Sequence, residues 1–262
     1  MWECITTNKK KIFWIVLLIV FLLIFFGCVT FYGINHYKTY MAKSANPDKT
    51  SSSVNEEIQD DGKIIVETPM DFDELEKVNP DIYAWIKVDG TVVDYPVLQS
   101  ATEKSYYLSH NVDKKKSSYG AIYTQYYNSK DFEDYNTVVY GHNMLNGTMF
   151  GTLKRFRDKK FFEKNKNITV YMRGRILKYE IFAAYVFDDR HILMSFDFDD
   201  EKDRQLYLDT IHEFKSISSF FREGTEVNSK DKLITLSTCT SKDNERYIVQ
   251  GVLVYDSQNP ED

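Results

Sequence analysis

Cys239 closes the run Leu233-Ile234-Thr235-Leu236-Ser237-Thr238-Cys239, and Arg246 opens the next apolar run, Arg246-Tyr247-Ile248-Val249. The β-branched and aromatic residues of both runs predict strands. If the two pair as a hairpin, the connection Thr240 to Glu245 brings thiol and guanidinium to the same end of a sheet. A thiolate beside fixed positive charge is stabilised and becomes a nucleophile. Strand alternation puts Leu233, Thr235, Ser237 and Cys239 on one face, and Ile234, Leu236 and Thr238 on the other. The cysteine therefore shares the more polar face near a strand end, which suits a reactive group better than a core plug.

A thiol nucleophile needs a base or an ion-pair partner. The chain holds five histidines: His36, His110, His142, His191 and His212. His142 stands out because the apolar strand Val138-Val139-Tyr140 stops at Gly141, and a turn there presents the imidazole at the rim of the sheet. His110 reads as a surface or supporting residue, and His191 and His212 fall in or beside a helical insertion. On spacing alone, each histidine reads as structural more readily than catalytic. Lys242, Asp243 and Glu245 in the Cys239–Arg246 connection read as solvated turn charges.

The elements that position these groups need a core, and 262 residues with 43% hydrophobic and 27% charged side chains can build one. A net charge of −6 argues against a nucleic-acid partner, which calls for a basic face. The three cysteines lie far apart, with no CxxC or Cys/His zinc spacing, so no metal and no cofactor are expected. At the N-terminus Lys9-Lys10-Lys11 precede an apolar run from Ile12 to Tyr32, broken only by Gly27, Cys28 and Thr30. About 20 apolar residues span a bilayer as a helix, and the basic flank stays cytoplasmic. The rival is a cleaved signal peptide, but this run exceeds the usual apolar core of roughly 7–15 residues and lacks an A-x-A-like site.

The expected organisation is thus a cytoplasmic basic N-terminus (1–11), a transmembrane helix (12–32), a polar linker (33–68) and an extracellular catalytic domain (69–262). In that orientation Cys239 is alone outside. Within the domain, a short helix is expected from Pro69 to Lys77, broken by Asn79-Pro80-Asp81, with another short element beginning at Ile82. Strands are expected at Val92–Leu98, Ala121–Tyr126, Thr137–Tyr140, Ile168–Met172, Ile176–Phe187, Leu233–Ser237 and Tyr247–Tyr255, with a tight turn at Arg173-Gly174. Many short strands favour a barrel or sandwich. Between Asp188 and Asp231 a long insertion carries one helical segment, about Asp200 to Phe214, with Leu206, Leu208, Ile211 and Phe214 as its apolar positions.

Two of these segments together carry a resemblance. Tyr140-Gly141-His142-Asn143-Met144, followed by Asn146-Gly147-Thr148-Met149-Phe150-Gly151, resembles the histidine motif of sortases, especially class B. Thr235-Leu236-Ser237-Thr238-Cys239 is similar to the sortase TLxTC motif, and Arg246 falls where the family's arginine is expected. Tyr83-Ala84-Trp85-Ile86, Asp94-Tyr95-Pro96-Val97 and Gly120-Ala121-Ile122-Tyr123 also resemble class B sequences, so the similarity runs from about Asp71 to Tyr255.

The resemblance implies a mainly β fold, a closed sortase-type barrel with N-terminal helices and a helix between its sixth and seventh strands. It implies Cys239 as nucleophile, His142 as general acid/base and Arg246 as stabiliser. Ser237, Thr238, Asn143 and Tyr140 are the candidate substrate contacts, while Tyr185, Phe187, Ile192 and Leu193 either line the groove or pack the core. The implied substrates are exported proteins with an Asn-Pro-x-Thr-like sorting signal, cleaved at a threonine-containing bond. The implied acceptor is an amine of peptidoglycan or of its lipid-linked precursor, reached through a thioester. Two rivals stand beside this reading: a surface cysteine peptidase that uses the same three residues to hydrolyse, and an anchored binding or scaffold module whose cysteine is inert.

Overall fold

The computed structural model describes Trp14, Leu17, Leu18 and residues 56–58, 64–214 and 216–259. The chain divides after Ala45, and every described strand belongs to the second unit. No helix among the described residues is long and apolar enough to cross a membrane. The expected span 12–32 lies outside the described residues apart from Trp14, Leu17 and Leu18, which are helical.

Eleven strands are described: β1 (Glu56–Ile58), β2 (Ile64–Val66), β3 (Ile82–Val88), β4 (Asp94–Leu98), β5 (Ile122–Thr124), β6 (Asn136–Tyr140), β7 (Asn167–Met172), β8 (Arg175–Asp188), β9 (Phe220–Phe221), β10 (Leu233–Cys239) and β11 (Glu245–Asp256). The order β11-β10-β6-β5-β4-β3-β7-β8, closed by β11 pairing with β8, makes an eight-stranded barrel, and β9 adds to the upper part of β8. Closure leaves few edges to protect. The expected mainly β barrel is therefore present.

Helices differ in detail from expectation. Asp71 accepts from the backbone of Asp73 and Glu74, so α1 runs Phe72–Val78 and starts later than Pro69. It is the one α-helix described between 64 and the barrel, where helices in the plural were expected. The short element at Ile82 is a strand. Asp158 caps α2 (Lys159–Lys164), which sequence periodicity did not indicate because it is less than two turns long. In the connection from β8 to β10, the barrel's sixth and seventh strands, lie α3 (Ile192–Ser195) and α4 (Glu201–Glu213). The inward stripe of α4 is Tyr207, Leu208 and Ile211, while Leu206 is exposed. Tyr207 takes the place assigned to Leu206 because its ring is long enough to bury apolar area and still offer a hydroxyl.

Part of the expected linker is also structured. β1 pairs with β2, and the amide of Val66 donates to Gly174 O, joining that ribbon to the turn between β7 and β8.

Two packed layers hold the domain together. Ile86, Val97, Val139, Ile168, Tyr179, Ile234, Leu236 and Val249 belong to the cluster that fills the barrel. Val138, Tyr185, Phe187, Tyr207, Ile211, Leu233 and Ile248 form the second cluster, between the barrel wall and the insertion. The alternation expected for β10 is therefore real, and the face carrying Cys239 is the outer one, roofed by the insertion along most of its length.

Candidate active site

The register of three strands builds the site. β10 and β11 pair antiparallel with Cys239 directly opposite Arg246, and β10 runs parallel to β6 with Ser237 opposite Tyr140. Two residues beyond that last pair, the chain reaches Cys239 on one strand and His142 on the other. The two motifs therefore leave the sheet at the same rim. Residues 233–238 are all buried and Cys239 is exposed, so the thiol lies at the point where the strand emerges from its packing.

Hydrogen bonds stitch the two motifs together. Gly141 donates its amide to Ser237 O at 3.2 Å and accepts the Thr238 hydroxyl at 2.6 Å. A Cβ on Gly141 would sit 2.5 Å from Ile122 Cδ1 and 2.8 Å from the Phe150 ring, so only glycine permits this approach. Asn143 donates its side-chain amide to Cys239 O at 3.0 Å. The His142 loop is tied down further on, where Phe150 N donates to His142 O and Met149 N donates to the Tyr95 hydroxyl. His142 itself is half-buried, with Nε2 2.7 Å from Leu108 O.

Arg246 is half-buried, and its Nη1 donates to Asp243 O at 2.8 Å and Glu245 O at 2.9 Å. The connection thus orients the guanidinium through its own carbonyls, and Lys242 pairs with Glu245 on the surface.

Of the expected substrate contacts, Ser237 and Thr238 are buried, and the Thr238 hydroxyl is committed to Gly141. Asn143 is exposed but its amide serves Cys239 O. Tyr140 is half-buried and stacks on Tyr123, ring centroids 5.5 Å apart. Tyr185, Phe187 and Ile192 are core, while Leu193 packs against the same cluster partly buried.

Sequence reasoning missed the aromatic side of the site. Burial, opposed by a Ser105 hydrogen bond and reinforced by negative charge at Cys239, pushes the Tyr123 phenol up to about 12. Tyr123 is therefore a neutral hydroxyl, opposite Tyr140 in the ladder and so two residues short of His142. The resemblance included Tyr123, but only its pairing with Tyr140 across β5 and β6 brings it here. His191 joins the same wall, with Nε2 2.5 Å from Gln125 Oε1 and its ring 5.6 Å from that of Tyr127. Burial and the charge of Lys104 hold its pKa below the usual imidazole value. No cluster of His, Cys, Asp and Glu suited to a metal ion occurs among the described residues.

A sortase-domain family model matches residues 86–254. Sortase B of Listeria monocytogenes is 34% identical over 210 residues, covering 79% of each chain. The solved structure of Clostridium perfringens sortase B superposes with a TM-score of 0.64 at 36% identity, covering 70% of this chain and all of that one. A Staphylococcus aureus sortase B–substrate complex and a sortase B structure complexed with triglycine each match with a TM-score of 0.62 at 31% identity. They cover 70% of this chain and 84% and 85% of those chains. The chain belongs to the sortase family. As a class B member it is a cysteine transpeptidase, an enzyme that anchors proteins to the cell wall.

Proposed function

We propose that Cys239, His142 and Arg246 carry this transpeptidation in two acyl-transfer steps. The Cys239 thiolate attacks the carbonyl of a threonine-containing bond in a C-terminal sorting signal of Asn-Pro-x-Thr-like sequence. Sulfur and carbonyl carbon form a bond, and the C–N bond breaks from the tetrahedral intermediate. His142 gives a proton to the departing amine, which is too basic to leave as an anion. Arg246 offers guanidinium N–H donors to the developing oxyanion or to the substrate backbone. In the second step an amine of peptidoglycan, or of its lipid-linked precursor, attacks the thioester. His142 takes the proton from that amine, and Cys239 is released as thiolate.

The observation that carries this reading is the shared rim: Cys239 faces Arg246 in register, and the parallel β6–β10 pair delivers His142 to the same end. The exposure of the sulfur beside otherwise buried strand residues supports it as well. The sortase B structure solved with triglycine supports an amine as second substrate.

We further place the domain on the outer face of the cell membrane, held by the apolar run Ile12 to Tyr32 with the lysines cytoplasmic. Anchoring keeps both substrates at the membrane face where the enzyme is, which raises their effective concentration.

The test uses full-length protein in detergent micelles with labelled sorting peptides and added triglycine. A thioester at Cys239, amide product that rises with triglycine, and loss of both in Cys239→Ala are expected. His142→Ala should cost roughly 10²–10⁴-fold in rate. Hydrolysis that ignores triglycine would establish the peptidase instead. Turnover by Cys239→Ala would defeat the assignment.

A further inference from the structure

His142 is half-buried, and the backbone bond from Phe150 N to His142 O does not involve its ring. What holds its orientation comes from a different loop. Tyr106–Leu108 form a 3-10 turn, and the chain returns through an isolated bridge between His110 and Lys116 to Gly120. There Ala121 N donates to Tyr107 O at 2.8 Å and Gly120 N donates to Ser117 O at 3.2 Å. The first bond holds the Tyr107–Leu108 backbone against Gly120, and the second closes the turn that Gly120 ends. A Cβ on Gly120 would lie 2.6 Å from Tyr107 O, 2.7 Å from Leu108 O and 3.1 Å from His142 Cδ2. Gly120 also has a φ of +57°, the left-handed region that favours glycine.

We propose that Gly120 is a positioning residue for His142, the bare wall of a slot in which the Leu108 carbonyl fixes the imidazole's tautomer. A carbonyl oxygen only accepts, so the 2.7 Å contact requires a proton on Nε2. In the neutral ring that leaves the lone pair on Nδ1, so Nδ1 is the nitrogen that gains and loses the proton during acyl transfer. Any side chain at position 120 pushes the Leu108 carbonyl away and crowds the ring edge at Cδ2. Both effects free His142 to rotate or to change tautomer. The proposal rests on the acid/base role of His142, but its structural half stands without any measurement of activity.

The experiment has three arms on full-length protein in micelles. In the first, 15N-histidine NMR of the native protein, with His142 assigned by its loss in His142→Gln, is expected to show neutral His142 as the Nε2–H form. In the second, Gly120→Ala is expected to alter that signal and to lower kcat roughly ten- to a hundredfold, with KM changed less than about twofold. The third is Gly224→Ala, a positive-φ control without a steric clash, since Gly224 has a φ of +82° and nothing within 4 Å of an added Cβ. It is expected to leave both readouts unmoved.

A native Nδ1–H tautomer overturns the proposal, and this arm decides alone if Gly120→Ala does not fold. A folded Gly120→Ala with native His142 signals and kcat overturns it too. If instead His142→Ala keeps full activity while native His142 is Nε2–H, the acid/base role fails and the slot remains.

Discussion

Asn143 and Cys239 are joined directly: the Asn143 side-chain amide donates to the Cys239 backbone carbonyl across 3.0 Å. The bond spans the two motifs at their exposed ends, where the β6–β10 ladder has already stopped. It fixes the strand end that carries the sulfur relative to the loop that carries the imidazole. Asn143 thus acts on the enzyme's own backbone through its side-chain amide.

Asn143→Ala should therefore lower kcat/KM about tenfold through a small displacement of the sulfur. The stability cost should stay near 0.5–1.5 kcal/mol, about that of a single hydrogen bond. Steady-state kinetics with a sorting peptide and a thermal melt check both halves. A large loss of melting temperature would mean that the loop folds around Asn143, not merely that Asn143 trims its position.

Arg246 gives a sharper substitution test. Its Nη1 bonds to two carbonyls of the connection, a geometry set by the planar fork and the strand register. An ammonium group is a point charge without that fork. Arg246→Lys should thus rescue little of the activity that Arg246→Ala loses, with both roughly 10²-fold down, the scale of one lost oxyanion donor. Full activity in the lysine variant would show that charge alone suffices.

These positions divide according to what a sequence can hold. Seven of the barrel's eight strands were legible because β-branched runs with period two are local, β3 having been expected only as a short element, and the Cys239–Arg246 pairing followed from a short connection. The histidine was singled out because Gly141 ends an apolar strand. By contrast, Tyr123, Leu108 and Gly120 enter the site through loops and strand pairings that no local pattern encodes. Leu108 contributes only a backbone carbonyl, which every residue has. The stripe of α4 was misread at Leu206 because periodicity ranks apolar residues and gives no weight to a tyrosine hydroxyl that finds a buried partner.

That partner is Gln250, whose Nε2 donates to the Tyr207 hydroxyl at 2.8 Å and to Thr235 Oγ1 at 2.9 Å, while Tyr185 donates to Gln250 Oε1 at 3.1 Å. All four side chains are fully buried between the barrel wall and the insertion. Tyr207→Phe removes one partner of a buried amide and should cost about 1–3 kcal/mol. Because the two groups share one network, Tyr207→Phe combined with Gln250→Leu should destabilise less than the two changes added together. Strict additivity in chemical denaturation would mean the bond contributes nothing of its own.

At the opposite end of the barrel, Arg175 at the start of β8 meets Asp256 at the end of β11. Arg175 Nε donates to Asp256 Oδ1 at 2.9 Å and Nη2 to Oδ2 at 2.6 Å, with both side chains under 10% exposed. Glu133 accepts from the same Nη2 and pairs with Lys232. Burial works to raise both carboxylates, but the hydrogen bonds and charges of Arg175, and of Lys232 for Glu133, overcome it, so both pKa values lie below their ordinary ones. A carboxylate lowered on folding contributes stability that is complete above its unfolded pKa, about 3.9 for Asp and 4.3 for Glu. That stability is lost as pH falls through the lower folded value. The melting temperature of the native protein should therefore begin to drop as pH passes below about 4.3. Arg175→Met leaves Asp256 buried without its partner and should cost about 3–5 kcal/mol at neutral pH. In that variant protonation of Asp256 relieves an unpaired charge, so acidification should cost less than in the native protein, or even stabilise. Arg175→Met with Asp256→Leu should recover most of the loss, because neither charge then remains in the seam. Thermal melts from pH 7 to 3 on the three proteins decide it, and an acid slope in the double variant equal to the native one would show that these two residues do not set it.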